Sequence, residues 1–64
     1  MDDDKFNMSM RKFLKQVGVT SQQAIEEAMR NAGETSGKSY EARMVLKIDD
    51  LDLEHTVTGM IEGA

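Results

Sequence analysis

The chain contains no cysteine, so no disulfide can staple it. It has one histidine, which excludes a structural zinc site of the usual Cys/His kind. No run approaches the ~18 apolar residues of a membrane span, and no signal peptide is visible. A cysteine-free chain without a leader fits the reducing cytoplasm. Excess positive charge is missing too. The formal net charge is −4, and an acidic domain is a poor default nucleic-acid binder because phosphate contacts dominate that affinity. Aromatic residues are few: two Phe, one Tyr and no Trp. The whole is 64 residues long, one small domain that buries only about 60% of its unfolded surface. Helix packing or self-association must supply what staples do not.

What is there begins with Tyr40 to Ile61, which reads as one antiparallel β-hairpin. With Asp49-Asp50 as a two-residue turn, Ile48 lies opposite Leu51, Leu46 opposite Leu53 and Met44 opposite His55. Ala42 then faces Val57, and Tyr40 faces Gly59. Directly opposed residues share a face and side chains alternate along a strand, so this register gathers the apolar residues on one side. The other side receives Lys47 with Asp52, Val45 with Glu54, Arg43 with Thr56 and Glu41 with Thr58. A one-residue slip would set Leu51 and Leu53 against the charged row. Asp50 is a tolerable rather than ideal occupant of a positive-φ turn position, and a four-residue loop, Asp49 to Asp52, is the fallback.

Upstream, two helices are expected. Phe6, Met10, Phe13, Leu14 and Val17 fall at i, i+4, i+7, i+8 and i+11, a narrow apolar stripe on a helix from about Lys5 to Val17. Asp2, Asp3 and Asp4 suit its positive end, and Asp3 or Asp4 can cap it. The Asp-Asp-Asp-Lys string also resembles part of a protease-cleavage tag, but capping already accounts for it. Gly18 sits where a left-handed C′ glycine belongs. Thr20 with Gln23 then fits a capping box, and Val19 with Ala24 its hydrophobic staple. The second helix spans about 21–32, with Ile25, Ala28, Met29 and Ala32 inward, and Gly33 ends it. Residues 33–39 read as a loop, and Gly63-Ala64 as a frayed end. The expected fold is α+β, ordered ααββ: a two-helix hairpin followed by a two-stranded antiparallel β-hairpin, with the helices packed on one face. A two-stranded sheet alone is marginal, so that packing is required.

Few residues can carry chemistry. A nucleophile–base arrangement needs Ser or Cys near His, or paired carboxylates with separated pKa values. The lone His55 belongs to the apolar face, where a partly buried structural role outweighs a hydrolase built on it. Asp49, Asp50, Asp52 and Glu54 cluster at the turn, but Leu51 interrupts them and the glycine of a calcium loop is missing, so a solvated turn is preferred. No catalytic residue, cofactor or metal is assigned, and no membrane or small-molecule partner is evident. The two helices with the hairpin as a wing resemble a helix-turn-helix. Gln22, Gln23 and Arg30 would then meet nucleic acid, but Glu26 and Glu27 oppose this. The better interaction candidate is Met8, Arg11, Lys12 and Lys15, an exposed basic helix face fit for an acidic partner, set against the plainer reading of a solvated face. The unpaired edges of a two-stranded sheet also invite pairing with another copy, although Glu41, Arg43 and Lys47 blunt them.

The segments Phe6-Asn7-Met8-Ser9, Arg11-Lys12-Phe13-Leu14-Lys15, Val17-Gly18-Val19-Thr20-Ser21-Gln22 and Leu51-Asp52-Leu53-Glu54-His55 resemble a family of small bacterial single-domain proteins of unknown function. The resemblance covers nearly the whole chain. It implies a bacterial ααββ domain with no assigned activity, and it marks Asn7, Ser9, Arg11 and His55 as the polar positions to test first. The expectation is thus a small, non-catalytic cytoplasmic domain that binds an unknown protein partner or itself as a homodimer. A winged-helix-like nucleic-acid binder is the alternative.

Overall fold

The computed structural model describes residues 3–64. One α-helix, α1 (Asp3–Ala32), is followed by β1 (Ser39–Ile48), a single 3-10 turn (Asp49–Leu51) and β2 (Leu53–Glu62). The fold is α+β, but the expected two-helix hairpin is a single 30-residue helix, about 45 Å long. Met1–Gly33 forms one compact unit and Glu34–Ala64 the other.

The helix runs through Gly18 for a countable reason. Ending one helix and starting another strands four carbonyls and four N–H groups. A mid-helix glycine costs only about 1 kcal/mol. The chain has no proline to force the issue. Gly18 is not among the positive-φ glycines, and the Thr20 hydroxyl donates to the Gln16 carbonyl at 2.8 Å instead of capping a new helix. The expected capping box of Thr20 with Gln23, and the Val19–Ala24 staple, therefore do not form. The true stop is Gly33, at φ 81°, the left-handed C′ position. Asp3 and Asp4 lie in the first turn, where the helix dipole favours them, and Arg30 lies in the last. The third member of the acidic start, Asp2, lies outside the described residues.

The hairpin is present, but its register differs from the expected one by two residues. Ile48 pairs with Leu53, Leu46 with His55, Met44 with Val57, Ala42 with Gly59 and Tyr40 with Ile61. The loop is the four-residue one, and Asp52, not Asp50, takes the left-handed conformation (φ 49°). Its N–H closes the turn onto the Asp49 carbonyl at 3.1 Å. A two-residue shift leaves every side chain on the face expected of it, because the side-chain period is two. Opposed partners change: Lys47 meets Glu54 rather than Asp52, at 3.4 Å. Both side chains are well exposed, so the pair contributes a few tenths of a kcal/mol at most.

The hairpin's open end is tied rather than frayed. The Thr35 hydroxyl donates to the Ala64 carbonyl at 2.9 Å, and the Gly63 N–H donates to the Lys38 carbonyl at 2.8 Å. The Lys38 N–H closes onto the Thr35 carbonyl at 3.1 Å, a turn that holds Gly37 at φ 79°. A methyl group at Gly63 would land on the Thr35 carbonyl, so only glycine fits there. Thr35, 3% exposed, is the one buried residue among those described. Among the described residues no hydrophobic side chain is buried. The expected pair of helices does not exist, because α1 is one unbroken helix.

Candidate functional site

An unbroken helix changes which surface matters. At 100° per residue, Phe6, Met10, Phe13, Leu14 and Val17 continue without interruption into Ser21, Ala24, Ile25, Ala28 and Ala32. The two half-stripes expected on separate helices are one stripe, along nearly the full length of α1. A lone helix cannot bury its own stripe. Phe6 remains 56% exposed and Phe13 50%. The β-hairpin repeats the situation. Tyr40, Met44, Ile48, Leu53 and Val57 all lie on one face and all remain exposed, and a two-stranded sheet has no second layer of its own.

The basic face expected of the first helix is on the surface. Met8 is 72% exposed, and Arg11, Lys12 and Lys15 are exposed beside it on the side of α1 away from the stripe. Gln22, Gln23 and Arg30 are also exposed, and helical spacing puts them on that same polar side, about two to four turns further along. The two candidate surfaces are therefore neighbours on one helix. The helix-turn-helix geometry that would have pointed Gln22 and Gln23 into a groove does not exist, because α1 has no turn. Asn7 and Ser9 lie exposed on α1, with the Ser9 hydroxyl donating to the Phe6 carbonyl at 3.0 Å.

His55 lies on the apolar face of the hairpin, opposite Leu46 rather than Met44, and is exposed rather than partly buried. Among the described residues, no side-chain hydrogen bond links it to a carboxylate or hydroxyl. Asp49, Asp50, Asp52 and Glu54 sit exposed around the turn. Among the described residues, no group of three His, Asp or Glu side chains gathers to hold a metal. No helix among them is long and apolar enough to cross a membrane. What the sequence reading missed is the continuity of the stripe. The signal was present in the helical spacing from Val17 to Ser21 and Ala24, and it was masked by reading Gly18 as a stop.

A family model, described as a family of unknown function (DUF6494), matches residues 1–64. The chain belongs to that family. The match spans both units. It fits the resemblance seen in the sequence, and it brings no activity with it. No curated protein and no solved structure matches the chain.

Proposed function

We propose that the chain is a non-catalytic self-associating module, whose two apolar faces are covered only when copies assemble. The observation that carries this reading is that each unit by itself leaves its apolar face without a second layer, one being a single helix and the other a two-stranded sheet. Folding a domain costs roughly 1–2 kcal/mol per residue in backbone entropy, and burial of apolar surface is the main term that offsets it. There is no disulfide as a substitute, and a second copy laid on these faces supplies that burial. Obligate homodimers solve the same problem, and they often have no stable folded monomer. Met8, Arg11, Lys12 and Lys15 stay on the outside of such an assembly, available to an acidic protein partner. The cysteine-free composition supports a cytoplasmic setting.

Sedimentation equilibrium across a wide concentration range tests the proposal. The expected result is a mass of at least twice 7.2 kDa, with dissociation and loss of helicity together on dilution. A folded 7.2 kDa species at every concentration overturns it.

A further inference from the structure

Resting on the self-association reading, we infer that α1 pairs with α1 of a second copy, antiparallel, about a two-fold axis at the level of residue 19. The inference comes from the order of residues along the stripe. Reflection about position 19 sends every stripe residue except Met29, which falls at the edge of the stripe, onto another stripe residue. Phe6 is matched with Ala32, Met10 with Ala28, Phe13 with Ile25, Leu14 with Ala24, and Val17 with Ser21. Each pair stands at the same height on two antiparallel helices, and each sets a larger side chain against a smaller one. Alternating large and small residues across a seam is how facing helices fill the space between them. A parallel pair would instead crowd both phenylalanines against their own copies at one end and leave facing alanines at the other.

Val17 and Ser21, the stripe residues nearest the axis, are small, which allows close approach where the helices cross. The stripe complements itself, and this singles out a second α1 as its occupant.

Three nitroxide labels read the geometry, because the chain has no cysteine of its own. Met8→Cys, Val19→Cys and Arg30→Cys all lie on the side of α1 opposite the stripe and are exposed, so labels there leave the seam intact. In an antiparallel pair, the axial separation of equivalent labels grows by about 3 Å per residue away from the axis. Double electron–electron resonance on each singly labelled protein should give about 20 Å at residue 19 and about 40 Å at residues 8 and 30, for helices 8–10 Å apart. Three equal short distances mean parallel helices and overturn the inference. The same holds for three distances that show no minimum at residue 19. The mass of the labelled proteins, measured on the same samples, separates these outcomes from failure of self-association itself. A 7.2 kDa mass with no dipolar coupling removes both.

Discussion

Replacing Phe13 by alanine distinguishes a seam residue from a surface residue. In the single chain, half of the Phe13 surface faces water. A phenylalanine carries 150–250 Å², so roughly 100 Å² remains to be covered by a second copy. At about 25 cal/mol per Å², and allowing for what the alanine still buries, the loss is about 2 kcal/mol per chain. A two-fold assembly contains the substitution twice, so it loses about 4 kcal/mol. At 1.4 kcal/mol for each factor of ten, the dimer Kd should rise about a thousandfold. Alanine is the better helix former by roughly 0.5 kcal/mol, so the substitution cannot act by weakening the helix itself. Sedimentation equilibrium of the Phe13→Ala protein beside the unaltered one reads the change directly. A Kd altered less than threefold would refute the reasoning, because a truly solvent-facing phenylalanine should matter little. Met8, more exposed still but on the opposite side, is the control: Met8→Ala should leave Kd within threefold.

The remaining expectations concern each unit by itself. Gly18→Ala should stabilise the folded state by about 1 kcal/mol per chain in a denaturant titration, since alanine replaces glycine inside a helix; a loss of stability would mean that Gly18 ends a helix after all. Gly63→Ala should cost about 2 kcal/mol or more, because the new methyl meets the Thr35 carbonyl and the ties to Lys38 and Ala64 must open, with early hydrogen exchange at the Gly63 amide as the readout. Asp52→Gly should stabilise by up to about 1 kcal/mol by relieving a left-handed non-glycine residue; a neutral or negative effect would show that the Asp52 side chain matters to the loop.

The hairpin's faces were legible in the sequence, and its register was not, for the same reason. Alternation of Met44, Leu46 and Ile48 with Arg43, Val45 and Lys47, matched by Leu53 and Val57 on the other strand, fixes which side each residue takes, but pairings two residues apart give identical faces. Only the loop could decide between them, and Asp50 and Asp52 are equally tolerable in a left-handed position. The helix was misread through local signals of about 1 kcal/mol each, a glycine and a capping sequence, which lose to the backbone hydrogen bonds that a break would strand. Cutting the chain at Gly18 hid the candidate seam. Phe13 and Ile25 looked like residues of two helices facing one hairpin, when they belong to one stripe that matches its own reflection. The tie at the open end involves Thr35 and Ala64, 29 residues apart, and no local pattern announces it.

The central claim is that this chain completes its apolar burial only with another copy. Its most direct test is the thermal midpoint of the unaltered protein as a function of concentration, followed by circular dichroism. Mass action over a hundredfold range contributes about 2.7 kcal/mol per dimer, and a pair of such chains unfolds with an entropy of roughly 270 cal/mol/K, so Tm should rise by about 10 °C. A single sharp transition at one temperature, the same at every concentration, would contradict it.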